Sequence, residues 1–263
     1  MKTKTVKIGS TLIGGSHFAV FAGPCSIESE KQAFETAEYV KSKGACVIRG
    51  GVYKLRTSPN SFQGLGEKAF SIVKKIRTEL NVPFVTEVTD PRQIPDLAGV
   101  VDAFQVGSRN MHNYELLKEL GQTKTPIILK RGFCATVDEW LKAADYLVQG
   151  GNEDIVFCER GIRSFETVTR NTFDINAIVY IKQRTEFPII ADPSHGTGIS
   201  DFVTPVALAA ASAGADGVMV EVHPEPSKAL SDGFQALDFE NFDQMMTQLK
   251  NVLSVFNKKL ESV

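Results

Sequence analysis

Cysteine pairs are missing from this chain. Its four cysteines, Cys25, Cys46, Cys134 and Cys158, stand far apart with no CxxC among them. That spacing excludes a zinc ribbon and a disulfide framework, and it points to reduced thiols in a cytoplasmic protein. An excess of one charge sign is lacking too: the net charge is −2, which gives no footprint for nucleic acid. No apolar run approaches a membrane span, and Met1 to Thr5 has no long apolar stretch behind it to form a secretory signal. Low-complexity linkers and fixed-period repeats are absent, so the 263 residues read as a single domain of barrel size.

What the chain does have is a regular alternation of strand and helix signals, in a composition of 43% hydrophobic and 23% charged residues that suits a soluble globular protein. Residues 5–8 and 11–13 flank Gly9-Ser10 and read as a hairpin. Short apolar runs follow at 19–23, 45–48, 83–86, 103–106, 127–129, 155–158, 189–191 and 217–220. Between them lie helical patterns, among them one carrying Phe34, Ala37, Tyr39 and Val40 behind Ser26 or Ser29 as cap, and others near 67–80, 137–148 and 239–256. Strand–helix alternation predicts a parallel sheet. Eight such units predict an α/β fold: a single (β/α)8 TIM barrel over residues 17–263, with a short N-terminal β-hairpin over residues 1–16. An open doubly wound sheet would need a Gly-rich phosphate turn after its first strand, and Gly23-Pro24-Cys25 is not one.

The barrel reading locates the chemistry, because the C-terminal ends of barrel strands share one mouth. Arg49, Arg109, Lys130, Arg131 and Arg160 follow strands, and Lys54, Arg56 and Arg163 lie on adjoining loops. A mildly acidic chain that gathers cations in one cleft expects a small anionic substrate held by its phosphate or carboxylate. A second constellation is Cys25, His195, Glu221 and Asp232, from strand ends and the last loop. One sulfur, one imidazole and two carboxylates suit a divalent transition ion such as Mn, Fe, Co or Zn better than Ca or Mg. Cys46 and Cys158 lie within strands and read as packed thiols, and Cys134 has no evident partner. His17, His112 and His223 read as structural, with His223 nearest the site.

Several motifs carry a family resemblance: Ala22-Gly23-Pro24-Cys25-Ser26, Arg49-Gly50-Gly51, Lys54-Leu55-Arg56-Thr57-Ser58, Gln105-Val106-Gly107-Ser108-Arg109-Asn110, Leu129-Lys130-Arg131-Gly132, Cys158-Glu159-Arg160-Gly161-Ile162-Arg163 and Asp192-Pro193-Ser194-His195-Gly196-Thr197-Gly198. In order and over nearly the whole chain, they resemble the type I-beta branch of 3-deoxy-D-arabino-heptulosonate 7-phosphate (DAHP) synthase. The resemblance implies a barrel that condenses phosphoenolpyruvate with erythrose 4-phosphate at the entry to aromatic amino-acid biosynthesis, as a homotetramer or homodimer. It implies Cys25, His195, Glu221 and Asp232 as metal ligands, and Arg49, Lys54, Arg109, Lys130 and Arg160 as the phosphoenolpyruvate site. Arg56, Thr57 and Ser58 would take the aldose phosphate, and Ser108 and Arg163 complete the substrate-binding set. Lys54 is the candidate proton donor and Glu87 the candidate for orienting water, with His195 the third catalytic candidate. Carbon three of phosphoenolpyruvate would add to the aldehyde, and water would attack carbon two to expel phosphate, with no organic cofactor.

One departure from the family pattern is Leu55, which stands where Lys-Pro-Arg-Thr-Ser has proline and does not fix φ. The nearest enzyme alternative is 3-deoxy-D-manno-octulosonate 8-phosphate synthase, which takes arabinose 5-phosphate through a longer Lys-Ala-Asn-Arg loop. Here Leu55 alone separates Lys54 from Arg56, so the four-carbon aldose is expected. A different class, a non-catalytic anion-binding regulatory subunit, would not need all four metal candidates. With the barrel predicted to fill the chain, no feedback inhibition of the isolated chain by aromatic amino acids is expected.

Overall fold

The computed structural model describes residues 3–262. β1 (Val6–Ile8) and β2 (Thr11–Ile13) pair antiparallel across Gly9-Ser10. Eight parallel strands follow: β3 (His17–Gly23), β4 (Val47–Arg49), β5 (Phe84–Val88), β6 (Ala103–Val106), β7 (Ile127–Lys130), β8 (Ile155–Glu159), β9 (Ile189–Ala191) and β10 (Gly217–Glu221). The last closes on the first, with Gly217 opposite Ala19 and Glu221 opposite Gly23, so the sheet is a barrel. A two-residue β11 (Lys259–Leu260) continues it below, against His17 and Phe18.

Alternation along each strand builds two layers. Phe18, Val20 and Ala22 face the helices, while Ala19 and Phe21 face inward to meet Val47, Val85, Ala103, Ile128, Val156, Ile190 and Met219. Val6, Ile8 and Ile13 of the hairpin join that inner cluster, so the hairpin plugs the barrel at the end opposite the strand C-termini. The expected hairpin is therefore part of the core.

The helices are α1 (Glu30–Ser42), α2 (Phe70–Leu80), α3 (Ile94–Leu97), α4 (Tyr114–Gly121), α5 (Val137–Gly150), α6 (Ile175–Arg184), α7 (Pro193–Thr197), α8 (Ser200–Ser212) and α9 (Phe239–Val255). Of the two cap candidates for α1, Ser29 does the capping by accepting from the Gln32 amide. Ser26 instead shares a 2.7 Å hydrogen bond with Ser231. Thr136 and Glu139 form a reciprocal capping box on α5. The helix expected over 67–80 opens as a 3-10 turn at Gly66–Ala69 before α2 begins. Several strands outrun their apolar pattern, so that Arg49, Lys130, Glu159 and Glu221 are strand residues. A parallel ladder pairs backbone groups regardless of side-chain polarity, and these residues turn polar where the barrel opens.

Trp140 of α5 is wholly buried and donates its indole N–H to the Leu129 carbonyl of β7 at 3.1 Å. Among the described residues no helix is long and apolar enough to cross a membrane.

Candidate active site

Cys25, His195, Glu221 and Asp232 come from four places in the chain and meet at the barrel mouth. One donor atom from each lies within 4.8 Å of every other. His195 Nε2 is 3.3 Å from Glu221 Oε1, and Cys25 Sγ is 3.5 Å from Asp232 Oδ2. That spacing lets the four side chains converge on one ion with bonds of about 2.0–2.3 Å, and the S, N, O, O set suits a transition ion. The protonation states agree with this. Burial pushes His195 down to about 4 against the pull of Asp192 and Glu221, so the imidazole is neutral at neutral pH. Burial alone would raise Glu221, but His195, Arg49 and Lys54 bring it down to about 2. The Cys25 thiol is pushed up to about 12 by burial and by Glu221, so an arriving ion must displace its proton. Lys54 Nζ touches Cys25 Sγ and sits 3.0 Å from Asp232 Oδ2, a place between anions that also suits a metal cation.

Asp192 organises the strand end beneath this centre. Its Oδ1 accepts from the His195 amide at 3.0 Å and so caps α7. Its Oδ2 lies 2.8 Å from His195 Nδ1, at ion-pair distance but without hydrogen-bond alignment. It also contacts the buried Lys130 ammonium. Burial would push Asp192 up, but His195 and Lys130 hold its carboxyl well below the usual carboxylate range. Ser194 Oγ accepts from the Glu221 amide at 3.0 Å, tying β10 to the same turn.

Next to the four-donor centre opens a cleft of about 280 Å³. Its lining includes Lys54, Leu55, Arg56, Thr57, Ser58, Glu87, Ser108, Arg109, Lys130, Arg160, His195 and Asp232. Most of the cations expected at the mouth are thus there together. Arg56 Nη1 is buried and makes no hydrogen bond to the described residues. Burial pushes Arg160 down to about 10, which still leaves it charged at neutral pH. Glu87 reaches across Gly107, where a Cβ would come within 2.1 Å of Glu87 Oε1, so a side chain at 107 would have to push the Glu87 carboxylate aside.

Other expected residues sit elsewhere. Arg49 lies on the floor, in a small cavity beside the cleft, 3.0 Å from Glu221 Oε1 and 2.8 Å from the Pro24 carbonyl. Arg163 stands outside the cleft lining but stacks on Phe133, as do Arg109 and Arg160, at 4.7, 5.5 and 4.7 Å from the ring centroid. Arg131, expected at the mouth, is turned away instead: it is buried against Glu159 at 3.0 Å and Asp174 at 2.8 Å. Those two carboxylates neutralise it before any substrate could. His223 is spent on structure, accepting from the Glu225 amide at 3.0 Å and facing Glu28 at 3.5 Å. Sequence reasoning overlooked Phe133, Asp192, Arg170 and Gln235. The Asp192 signal was present, as a carboxylate three residues before His195 at a helix start.

Comparison with known proteins agrees with this geometry. The family model described as DAHP synthetase I family matches residues 2–256. The chain is 44% identical over 255 residues to a phospho-2-dehydro-3-deoxyheptonate aldolase of Thermotoga maritima, covering 97% of this chain and 75% of that one. It is 30% identical over 257 residues to a 2-dehydro-3-deoxyphosphooctonate aldolase of Legionella pneumophila, covering 91% and 93%. The crystal structure of the Thermotoga maritima DAHP synthase matches with a TM-score of 0.96 at 43% identity, over 99% of this chain and 76% of that one. A truncated form of 3-deoxy-D-arabino-heptulosonate 7-phosphate synthase from the same organism gives 0.92 at 40%, over 99% and 95%. With a barrel mouth that unites four side chains able to hold a metal beside a cationic cleft, and with matches that run nearly end to end, this chain belongs to the DAHP synthetase I family.

Proposed function

We propose that the chain condenses phosphoenolpyruvate with erythrose 4-phosphate and water to give DAHP and phosphate. The observation that carries this reading is the union, in one cleft, of the Arg56 guanidinium, the Lys130, Arg109 and Arg160 cations, and the four-donor centre. Two anionic substrates and a metal need that combination. The identity of 44% to the heptonate enzyme, against 30% to the octonate enzyme, favours the four-carbon aldose.

The catalytic unit in this reading is residues 17–262 with the hairpin of residues 3–16 as its plug; residues 1, 2 and 263 of the expected bounds lie outside the described residues. Arg109, Lys130 and Arg160 hold phosphoenolpyruvate, with Lys54, Ser108 and Arg163 supporting that end and Arg49 acting from the floor. Arg56, Thr57 and Ser58 take the aldose phosphate. Cys25, His195, Glu221 and Asp232 hold a divalent Mn, Fe, Co or Zn ion, which when bound supplies Lewis-acid polarisation and orientation of the aldehyde. Glu87, on the opposite wall, orients the water that attacks carbon two. Lys54 supplies a proton from Nζ. Burial would lower its ammonium, but Cys25, Glu221 and Asp232 hold it up, so Lys54 carries its proton at neutral pH. Catalysis is then mostly positioning in a preorganised cationic field.

A cytoplasmic location accords with four free cysteines. A homotetramer or homodimer accords with large apolar side chains left in the open, such as Phe165 at 98% and Val255 at 74% exposure.

The test is phosphate release by the purified chain from phosphoenolpyruvate with either aldose phosphate, after chelation and after adding Mn2+ or Co2+. Turnover should vanish on chelation, return with metal, and stay absent in Cys25→Ser. Erythrose 4-phosphate should be preferred in kcat/KM by at least roughly tenfold, because Leu55 offers no hydrogen bond to an extra hydroxyl, a loss of about 1–3 kcal/mol. Equal or better use of arabinose 5-phosphate reverses the aldose assignment, and inactivity with both leaves the anion-binding subunit.

A further inference from the structure

The loop between β8 and α6 carries Arg160 and Arg163 near its start; its later part, at Arg170 and Asn171, approaches the four-donor centre from outside and has no role above. Arg170 Nη1 donates to Gln235 Oε1 at 2.8 Å. Gln235, wholly buried, donates from Nε2 to Glu221 Oε2 at 2.7 Å. Glu221 Oε1 is thereby left turned toward His195 and Arg49. A guanidinium can only donate, so it fixes which end of the Gln235 amide faces which neighbour. The next residue, Asn171, donates from Nδ2 to the His195 carbonyl at 2.9 Å. Backbone bonds sew the same dipeptide onto the His195 turn: the Arg170 amide to Thr197 O at 2.8 Å, and the Asn171 amide to Gly196 O at 3.0 Å. The turn accepts this company only because residue 198 is glycine, at φ 69°, where a Cβ would lie 2.6 Å from Arg170 Cβ.

We propose that Arg170 is a positioning residue for the metal centre, acting through Gln235 to set the orientation of the Glu221 carboxylate. This rests on the reading of Cys25, His195, Glu221 and Asp232 as metal ligands. It assigns Arg170 a task apart from substrate capture, although its side chain also lines the cleft and lies 4.0 Å from Asp232 Oδ2. Groups that orient metal ligands from behind typically change metal affinity by 10–100-fold when removed. Arg170 stands one bond further out than Gln235, so its effect should be the smaller of the two.

The test is Co2+ titration of the metal-stripped full chain, followed by the cobalt–thiolate absorption of Cys25, with circular dichroism as a folding check. Gln235→Ala should raise the cobalt Kd at least roughly tenfold and Arg170→Ala roughly three- to tenfold. The double variant should bind no more weakly than Gln235→Ala, since one residue acts through the other. Arg170→Lys, which keeps a cationic donor, should recover part of the loss. An unchanged Kd in Arg170→Ala overturns the proposal, even if KM for an aldose phosphate rises. So does a double variant whose losses multiply, or a wild-type chain that shows no thiolate band. The readout is separate from turnover: wild-type cobalt binding with the expected losses, but no reaction of either aldose, removes the proposed reaction and supports this inference.

Discussion

Replacing Asp192 should separate the electrostatic and the local structural contributions of the strand end that carries His195. The carboxylate is 1% exposed and pairs with Lys130, itself 4% exposed, while capping α7 through the His195 amide. Asp192→Ala removes both at once. Losing an N-cap costs about 1 kcal/mol, and leaving a buried lysine without its anion costs about 3–5 kcal/mol. The two losses share one environment and do not simply add, so a total near about 4 kcal/mol is expected, a large share of the stability of an ordinary domain. Asp192→Asn keeps a good cap and an acceptor for Lys130 but not the charge, and should lose about 1–3 kcal/mol, the scale of a hydrogen bond to a charged group. Urea unfolding of metal-stripped protein measures both without the stabilisation that a bound ion would add. A loss below about 1 kcal/mol in the alanine variant would refute the reasoning, as would asparagine proving as damaging as alanine.

Acidification should weaken the metal-stripped chain in two stages. His195 lies at about 4 in the folded chain against an ordinary 6.5, so between those values the unfolded chain takes up a proton that the folded chain refuses, and stability falls with pH. Glu221, at about 2 against 4.5, adds a second loss below pH 4.5 as the folded carboxylate resists protonation. Urea midpoints measured across this range check both stages, and a flat profile from 6.5 to 4 contradicts the first. Phe133→Ala should raise KM for phosphoenolpyruvate roughly three- to tenfold with a smaller change in kcat, because the ring spaces the Arg109, Arg160 and Arg163 guanidiniums. Unchanged steady-state KM would deny the ring that part.

The barrel was legible because each wall strand is a short apolar run bounded by turn or charged residues, a pattern set by burial on both faces. Strand ends were less legible: apolarity stops before the hydrogen-bond ladder does, as at Lys130 and Glu221. Cys25 and Asp232 could be proposed as partners from residue chemistry and family resemblance, since they are 207 positions apart. The destination of Arg131 could not be read from its strand-end position. Its direction depends on Asp174, which comes from another element and meets it only in the folded chain. Arg170 and Gln235 were invisible for the same reason. Each is an ordinary polar loop residue until Glu221 arrives beside them.

The single tryptophan turns the barrel into its own gauge. Trp140 hangs by its indole N–H from the carbonyl of Leu129, the residue before Lys130 in β7, with the Phe157 ring edge-on at 4.8 Å. Its fluorescence therefore comes from one dry site on the wall that delivers a cleft cation. An emission shift toward the red will mark water reaching that wall, rather than the loosening of a surface loop. The sequence has no second indole to mix with it, so one emission signal can follow this strand through unfolding and refolding.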